Sequence, residues 1–370
     1  GGHIYPGLAV AEALKERHPE VRVAFIGTQK GLEADIIPRA GYPFFTVPSR
    51  GLSRRASLTV VSTAWTVGKG VKAAWRLLGY LRPRVVLGTG GYVAAPVALA
   101  ALLRRIPLIL QEQNAWPGLT NRLLAPFAWK VALGSPAARA HFPRGARTVV
   151  TGNPIRKAIT AVTREEGLKR MGLSPHKRVV LVVGASQGAR SINEAILQGA
   201  DGLRQRPDVQ VVLASGRAHF DAVCREAARR WGPPVEVASG VRRWGDFWVR
   251  SYIDDMGAAL AAADLVVGRA GAISIAEITA RGVAAILVPY PFAAEGHQEK
   301  NARELEAAQA AWVVPDHQCR QQLVAKLLQL LDDPARLEAM RRASAGLGKP
   351  HAADRVVDLL ETWLSDRDPL

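Results

Sequence analysis

Apolar runs rich in Val, Ile and Leu recur along the chain, and stretches with helical spacing separate them. Gly, Pro or polar residues bound most of these runs, which predicts buried strands. The predicted strands cover residues 21–27, 85–88, 108–110 and 131–133 in the first half, and 178–183, 209–214, 235–237, 265–267 and 285–289 in the second. Strands that alternate with helices form βαβ units, so the pattern predicts an α/β fold with parallel sheets.

The helical pattern and the length of the chain together predict two domains. Apolar residues at helical spacing predict helices over 7–17, 65–81, 93–103, 318–343 and 353–365, and a further helix from Ser191. A chain of 370 residues is long for one hydrophobic core. At the Asn153-Pro154 step, Pro neither donates to a sheet nor favours helix before it. We therefore predict domains over 1–152 and 153–345, with the helix 353–365 returning to the first.

Composition narrows the class of protein. Apolar residues make up 48% of the chain, which is typical of a globular protein. The longest apolar run, 93–103, is too short to cross a bilayer, and no signal peptide is visible. Two cysteines give neither a disulfide framework nor a zinc spacing, and the eight histidines show no metal-ligand spacing. The composition predicts a reduced, cytoplasmic protein without a metal site.

Positive charge is concentrated in the first half of the chain. The formal net charge is +17, and residues 1–152 hold 20 Lys/Arg against 6 Asp/Glu, while residues 36–111 contain no acidic residue. An asymmetry of this size indicates an anionic partner for the first half. Nucleic acid, an anionic membrane and a phosphorylated substrate are the candidates.

The predicted helix 65–81 bears on that choice. Its basic residues recur on one side and its apolar residues on the other; they are Lys69, Lys72 and Arg76, against Val67, Val71, Trp75 and Leu78. A basic face beside an apolar face with Trp is typical of a helix that lies in a membrane interface. The alternative is a surface helix that packs its apolar stripe on the sheet. The acid-free surroundings favour the membrane, and no nucleic-acid recognition module is visible.

Two glycine turns in the first half are candidates for binding a phosphate. Gly88-Thr-Gly-Gly-Tyr92 follows a predicted strand, and Gly1-Gly2-His3 opens the helix 7–17. Glycines let the backbone approach a phosphate closely, although a tight turn alone also explains them. A strand normally precedes such a turn, so the sequence is expected to begin inside its first motif. His3 is a candidate proton acceptor or, alternatively, a polar residue at a helix start.

A third glycine turn, Gly184-Ala-Ser-Gln-Gly188, allows two interpretations. It matches the G-x-S-x-G pattern of serine hydrolases, with Ser186 as nucleophile and Asp264 and His297 following in the right order. Nothing else in the sequence singles out those two partners. The alternative is that Ser186 and the neighbouring amides hold a phosphate.

A fourth turn indicates a nucleotide diphosphate. The segment GRAGAISIAE at 268–277 joins an apolar strand to a helix that carries Glu277. The amides at a helix start bind anions, and a carboxylate accepts hydrogen bonds from a ribose diol in dinucleotide folds. Polar groups of Glu112-Gln-Asn114 and of Asn153–Arg156 also lie near predicted strand ends, where ligands of α/β sheets bind, although capping explains them equally.

Taken together, these motifs resemble one family closely, the MurG family of bacterial glycosyltransferases. The matching segments follow one another in family order: GGHIYPGLAVAEAL at 1–14, GTGGYVAAP at 88–96, EQNAWPGLTNRLL at 112–124, GNPIR at 152–156, GASQGAR at 184–190, YIDDM at 252–256, RAGAISIAE at 269–277, PYP at 289–291, HQ at 297–298 and NA at 301–302. They are specific jointly, and each alone is weak.

The resemblance implies a GT-B fold, in which two Rossmann-like domains with parallel sheets face a cleft. It implies UDP-N-acetylglucosamine as donor, bound mainly to the second domain. Ile253 would contact uracil through its backbone, Glu277 the ribose, and Gln298 and Asn114 the sugar. The diphosphate would meet Ser186, Arg156 and the helix start formed by Ala272, Ile273, Ser274, Ile275 and Ala276.

The resemblance further implies a lipid acceptor, undecaprenyl pyrophosphate carrying a muramyl-pentapeptide. Its pyrophosphate would meet Gly1, Gly2, Gly88, Gly90 and Gly91, with Tyr92 nearby. The muramyl 4-hydroxyl would attack the anomeric carbon with inversion, and His3 would take its proton. A helix N-terminus and Arg156 would stabilise the leaving diphosphate, so no tightly bound cofactor or metal is required, and stimulation by a divalent metal stays open. Such an enzyme of peptidoglycan synthesis would bind peripherally to the cytoplasmic face of the plasma membrane.

Overall fold

The computed structural model describes residues 2–29, 31–49, 59–184 and 188–365, with the backbone alone at 59–67 and 365. The chain divides into two units, residues 1–156 with 351–370 and residues 157–350. The sequence had placed the division at 152/153, and the structure places it at 156/157. Each unit has its own sheets and its own core.

The first unit contains parallel strands in two sheets. Strands β3 to β6 form one sheet in chain order, and β1 pairs with β2 in the other. The strands are β1 Phe25–Gly27, β2 Phe44–Thr46, β3 Val86–Gly88, β4 Leu108–Glu112, β5 Lys130–Leu133 and β6 Thr148–Val150. The helices are α1 Ile4–Arg17, α2 Glu33–Arg39, α3 Thr59–Leu81, α4 Ala94–Leu103 and α5 Leu119–Leu124, and the last helix of the chain, Ala352–Ser365, belongs to this unit as well.

The last helix packs on α1 and closes one side of the first unit. Val356 and Val357 share a core with Val10 of α1, Ile109 of β4 and Ala132 of β5. Outside that core the Arg17 guanidinium of α1 pairs with three carboxylates of the last helix, those of Asp354, Asp358 and Glu361. Apolar burial holds the two helices together, and the partly exposed ion pairs add little stability to it.

The second unit is built around one eight-stranded sheet. The sheet order is β14-β13-β12-β7-β8-β11-β10-β9. Its strands are β7 Arg178–Val183, β8 Val209–Ala214, β9 Val235–Ala238, β10 Val241–Trp244, β11 Phe247–Arg250, β12 Leu265–Gly268, β13 Ala284–Leu287 and β14 Ala311–Val313. Its helices are α6 Ala158–Ala161, α7 Arg164–Met171, α8 Arg190–Arg204, α9 Phe220–Trp231, α10 Met256–Ala262, α11 Ala272–Ala280, α12 His297–Ala307, α13 Cys319–Asp332 and α14 Pro334–Leu347; the helix Ala352–Ser365 is α15.

The central strands of this sheet are parallel and buried on both faces. Leu265 of β12 lies opposite Val180 of β7, and Gly268 opposite Val183. Val179, Val180 and Val182 are fully buried, which is why the sequence there is a continuous apolar run rather than an alternating one. The carboxyl ends of β7, β12 and β13 therefore meet at one edge of the sheet.

The prediction of parallel sheets was incomplete at one end of the second unit. Strands β9, β10 and β11 pair antiparallel, and two-residue turns join them at Ser239-Gly240 and Gly245-Asp246. Gly240 and Gly245 have φ of 70° and 64°, which such hairpin turns require. The predicted strand 235–237 is thus an exposed edge strand, and β10 and β11 were not predicted.

The predicted helix 318–343 is two helices. Asp333 ends α13, and its side chain accepts a hydrogen bond from Arg336 N at 2.9 Å to cap α14, with Pro334 at the first helical position. Pro lacks the amide hydrogen that a continuous helix needs, so the chain stops and restarts there. Among the described helices, none combines the length and apolar character needed to cross a membrane.

Candidate active site

The two glycine turns of the first unit meet at the His3 side chain. His3 is the N-cap of α1, and its Nδ1 lies 2.9 Å from the Thr89 carbonyl oxygen and 3.0 Å from Gln113 Oε1. Thr89 belongs to the turn after β3, and Gln113 follows β4. The carboxyl ends of two neighbouring strands thus hold one imidazole, and the alternative of a mere helix-start residue does not account for that contact.

The glycines of the second turn are required where they stand. Gly90 and Gly91 have φ of 96° and 80°, in the left-handed region that other residues rarely adopt. A Cβ atom on Gly90 would lie 3.0 Å from His3 Nδ1, and one on Gly91 would lie 3.4 Å from His3 Cδ2. The turn therefore combines a backbone conformation that favours glycine with close approach to the histidine.

The remaining predicted acceptor residues lie around this turn. Gly88 ends β3, and Tyr92 is half exposed just after the turn. Gly2 is exposed, and a Cβ atom there would meet nothing within 4 Å. Gly1 lies outside the described residues.

A buried carboxylate organises the segment that carries Asn114. Glu112 is 2% exposed; its Oε1 accepts from Asn114 N at 3.0 Å and from Asn114 Nδ2 at 3.2 Å, and its Oε2 accepts from Gly118 N and Asn121 Nδ2 at 3.1 and 2.8 Å. This is the capping role that the sequence had left open for Glu112. It fixes the orientation of the Asn114 side chain.

Arg156, the predicted diphosphate ligand, belongs to the first unit and forms an ion pair there. Its Nε donates to Glu12 Oε1 of α1 at 2.9 Å, and both side chains are partly exposed. An exposed pair of this kind contributes little to stability, about 0–1 kcal/mol, so an anion can compete for the guanidinium at small cost.

The second unit places the start of α11 at the shared edge of β7, β12 and β13. Gly271 is the N-cap of α11 and has no side chain with which to cap the first amides, those of Ala272, Ile273 and Ser274. Ile275 and Ala276 complete the first turns. A helix start of this kind favours an anion because its amides and its dipole both point at the ligand.

The strand-to-helix turn before α11 is held by Arg269, which sequence reasoning did not assign a role. Arg269 is buried, pairs with Asp316, and donates to the Val288 carbonyl oxygen at 3.1 Å and to Ser191 Oγ at 3.0 Å. The available signal was an arginine within the Gly-rich turn that follows an apolar strand, since an arginine buried at such a place must be paired.

The other predicted donor residues lie near the same edge or along α11. Glu277 stands on α11 beyond its first turn, and is partly buried. Gln298 Oε1 accepts from Tyr290 N at 2.9 Å, which ties α12 to the segment after β13. Ile253 is 7% exposed, so its side chain belongs to the core.

The serine-hydrolase arrangement is contradicted for one of its three residues. Asp264 immediately precedes β12, beside the start of β7. Its carboxylate accepts a hydrogen bond from Val179 N at 2.8 Å. Gly184, the first residue of the predicted nucleophile motif, follows the opposite end of β7, about 16 Å from Val179 at 3.3 Å per residue. Ser186 itself lies outside the described residues. Gly188, with φ of 79°, passes so close to the Ser215 carbonyl that no side chain fits there.

Helix α3 carries the side chains predicted to meet a membrane. Lys69, Lys72 and Arg76 are exposed. The prediction was wrong for Leu78, which is 2% exposed and packs in the core with Ala74. The apolar stripe of α3 therefore includes core positions, as the alternative interpretation of this helix required.

Trp75 lies between that core and the surface. The Arg104 guanidinium, just after α4, lies 4.2 Å from the Trp75 ring centroid, and its Nε donates to the Trp75 carbonyl oxygen at 2.7 Å. Within the part of the chain that the structure describes, no three His, Cys, Asp or Glu side chains are placed to hold a metal ion.

Comparison with known proteins identifies the family. The model of the glycosyltransferase family 28 N-terminal domain matches residues 1–133, and that of the C-terminal domain matches residues 179–356. A protein of Desulforudis audaxviator named UDP-N-acetylglucosamine–N-acetylmuramyl-(pentapeptide) pyrophosphoryl-undecaprenol N-acetylglucosamine transferase is 43% identical over 98% of this chain and 95% of its own length. The chain belongs to the MurG family. A MurG-family relative of the same name from Moorella thermoacetica is also 43% identical, over 97% of this chain and 95% of its own length.

The fold of the chain is similar to that of a solved MurG structure. Acinetobacter baumannii MurG is 28% identical, with a TM-score of 0.73 over 98% of this chain and 96% of that chain. The fold is therefore GT-B, as the sequence predicted. His3, the turn at 88–91 and Asn114 fall in the matched N-terminal domain of the family, and Ile253, α11 and Gln298 in the matched C-terminal domain.

Proposed function

We propose that this chain transfers N-acetylglucosamine from UDP-N-acetylglucosamine to the 4-hydroxyl of the muramyl-pentapeptide on undecaprenyl pyrophosphate, with inversion at the anomeric carbon. The chain is a glycosyltransferase, and relatives over nearly its full length are named for this reaction. The observation that carries the proposal within the structure is the His3 imidazole held against the turn at 88–91.

The second unit binds the donor in this proposal. The amides at the start of α11 receive the diphosphate, and Glu277 accepts from the ribose hydroxyls. Gln298 has its oxygen engaged by Tyr290 N, so its Nε2 is the group that donates to the sugar. The backbone at Ile253 meets the uracil.

The first unit binds the acceptor. The glycine turn at 88–91 brings backbone close to the pyrophosphate, and Tyr92 lies at the rim of that turn. Asn114 binds the transferred sugar, and the hydrogen bonds from Asn114 to Glu112 maintain the orientation of the Asn114 side chain. Arg156 exchanges its exposed partner Glu12 for the donor diphosphate.

The reaction needs one base and one site for developing charge. The acceptor oxygen forms a bond to the anomeric carbon while its proton passes to His3. The bond from that carbon to the diphosphate oxygen breaks, and its electron pair leaves with UDP. The helix start and Arg156 stabilise the added charge, because preorganised donors cost no reorganisation when the charge appears.

Transfer of labelled N-acetylglucosamine to a muramyl-pentapeptide pyrophosphoryl-lipid analogue tests the proposal. His3→Asn should lower turnover by roughly 10²–10⁴-fold, the usual contribution of a general base, with donor affinity unchanged by calorimetry. His351→Asn, at an exposed histidine, is the matched control and should keep full turnover. Full turnover by His3→Asn would contradict the base assignment, and no transfer by the parent protein would contradict the reaction. Parallel assays with added Mg²⁺ and with a chelator determine whether a divalent metal stimulates it.

The proposal includes peripheral binding to the cytoplasmic face of an anionic plasma membrane. Lys69, Lys72 and Arg76 lie on one stripe of α3, and Tyr80, 80% exposed, continues it. Each basic residue near an anionic surface contributes about 1 kcal/mol.

Exposed apolar side chains also stand on other helices of the first unit. Leu103 ends α4, beside the Arg104 that covers Trp75, and is 65% exposed. Leu123 on α5 and Phe127 just after it are 64% and 67% exposed. Exposed apolar residues beside a basic stripe are the composition that binds a bilayer interface.

Charge reversal tests the membrane surface separately from catalysis. Lys69→Glu, Lys72→Glu and Arg76→Glu together should abolish sedimentation with phosphatidylglycerol-containing vesicles and leave UDP-N-acetylglucosamine binding unchanged. The matched control reverses three exposed basic residues of the second unit, Arg225, Arg342 and Lys349, by the same total charge. Equal loss in both triple variants would assign the effect to net charge and contradict the proposed surface.

A further inference from the structure

Three buried side-chain amides form a hydrogen-bonded chain that reaches His3. Gln111, Gln113 and Asn153 are 0%, 3% and 8% exposed. Asn153 Nδ2 donates to the Gln113 carbonyl oxygen at 2.9 Å, and Gln111 Nε2 donates to Asn153 Oδ1 at 3.1 Å. These bonds fix the end of β4 and the segment after β6 against each other, so Gln113 has a rigid support.

The surroundings of Gln113 determine which end of its amide faces the histidine. Gln113 Nε2 donates to the Thr89 carbonyl oxygen at 2.6 Å and to Gln111 Oε1. Both partners accept, so the nitrogen must lie on their side. The oxygen of the amide, Oε1, then lies 3.0 Å from His3 Nδ1.

The same geometry determines the protonation of the ring. His3 Nδ1 faces two oxygens that cannot donate, Thr89 O at 2.9 Å and Gln113 Oε1 at 3.0 Å. A nitrogen between two acceptors must carry hydrogen, because a lone pair there would be repelled by both. In neutral imidazole only one nitrogen is protonated, so Nε2 keeps its lone pair.

We propose that Gln113 is a positioning residue that holds His3 in its Nδ1-protonated tautomer and so makes Nε2 the atom that accepts the proton of the acceptor hydroxyl. The inference rests on the proposed transfer and on His3 as its base. Proton transfer gives an imidazolium that keeps Nδ1–H on Gln113 Oε1, while the acceptor oxygen bonds to the anomeric carbon and UDP leaves with the electron pair. Gln113 thus acts through His3 and does not touch the reacting atoms.

The proton position is measurable without substrate. In protein labelled with ¹⁵N-histidine, long-range ¹H–¹⁵N correlation spectra distinguish a protonated ring nitrogen from one with a lone pair, and the His3 signals are those that His3→Asn removes. At a pH where His3 is neutral, the parent protein should show Nδ1 protonated and Nε2 bare. A parent protein with the proton on Nε2 overturns the proposal.

Two variants of Gln113 test its role. Gln113→Met keeps the volume and removes the acceptor, and Gln113→Asn keeps an amide that is one methylene too short. In each, part of the His3 population should move its proton to Nε2, and kcat should fall about fivefold, the worth of one neutral hydrogen bond, at unchanged KM for UDP-N-acetylglucosamine. An unchanged tautomer in a folded variant overturns the proposal.

Gln210→Met is the matched control. Gln210 is a buried glutamine of the second unit whose amide bonds to Ser174 and Lys177. Its loss should lower thermal stability like Gln113→Met but leave the His3 spectrum and kcat unchanged. If the parent protein transfers no sugar while His3 carries its proton on Nδ1, the proposed transfer fails and the tautomer assignment stands; with transfer and the proton on Nε2, the reverse holds.

Discussion

Gly90→Ala tests whether the position of the His3 imidazole affects turnover. The effect on turnover must be separated from the effect of the substitution on the stability of the turn. Gly90 has φ of 96°, and an added Cβ would lie 3.0 Å from His3 Nδ1 and 3.6 Å from Gln113 Oε1. Two separate penalties follow, one from the backbone and one from the contact with the imidazole.

The structure supplies a control that separates them. Gly41, in the same unit, has φ of 82°, and a Cβ there would meet nothing within 4 Å. Gly41→Ala therefore carries the backbone penalty alone, of order 1–3 kcal/mol. In Gly90→Ala the imidazole must also shift by a few tenths of an ångström. Since a misplacement of 1 Å can cost about 100-fold in rate, we expect a further loss of roughly 3- to 10-fold in kcat.

Calorimetric unfolding measures the loss of stability, and the transfer assay measures the loss of turnover caused by the displaced imidazole. Both alanine variants should unfold at lower temperature than the parent protein, Gly90→Ala by at least as much as Gly41→Ala, and Gly90→Ala alone should lose turnover. Equal turnover in the two variants, at equal donor binding, would refute the reasoning that the position of His3 limits the reaction.

Three further predictions concern the second unit. Glu277→Ala should weaken UDP-N-acetylglucosamine binding by about 1.5–3 kcal/mol for each charge-assisted hydrogen bond lost, and unchanged affinity by calorimetry would remove its ribose role. Burial raises the pKa of Cys319 to about 11 from an ordinary 9.0, so iodoacetamide should alkylate it about 100-fold more slowly at pH 8 than an exposed thiol, as followed by mass spectrometry; rapid alkylation would contradict its burial. Hydrogen bonds from Arg206 and Arg178 hold the pKa of Asp208 below its ordinary 3.8, so its contribution to stability is complete above about pH 4 and declines below it. Asp208→Asn should therefore reduce the difference in urea-unfolding free energy between pH 7 and pH 3, and an equal difference in both proteins would count against this pair.

The central strands of the second unit, which are unbroken apolar runs, could be predicted from the sequence almost to the residue, and β10 and β11 could not. The predicted 178–183 and 209–214 are β7 and β8 as observed, because burial on both faces leaves an unbroken run of Val and Leu. Strands β10 and β11 are rich in Arg and Trp and show no such run. Their signal was the pair of two-residue turns, Ser239-Gly240 and Gly245-Asp246, which a search for hairpins would have found.

The site could be predicted in its parts and less well in its connections. The rule that ligands lie beyond the carboxyl ends of strands indicated the segments at 88–92 and 112–114, which the structure brings together. That His3 joins them depends on where α1 packs, and Gln113 lies 110 residues further along the chain. No local pattern records such a contact. For Leu78 a local pattern was present but misleading. Helical spacing alone does not distinguish an apolar stripe that packs in the core from one that faces a membrane.

The position of α15 has a consequence for synthesis of the protein on the ribosome. The first unit completes its core only when residues 352–365 join Val10 and Ile109, whereas residues 157–350 form a unit that is continuous in sequence. At roughly 5–20 residues per second, the intervening segment of about 200 residues takes roughly 10–40 s to translate. During that interval the nascent first half exposes the apolar surface that α15 later covers. We therefore expect the second unit to fold first, and molecules terminated before residue 352 to be captured by chaperones.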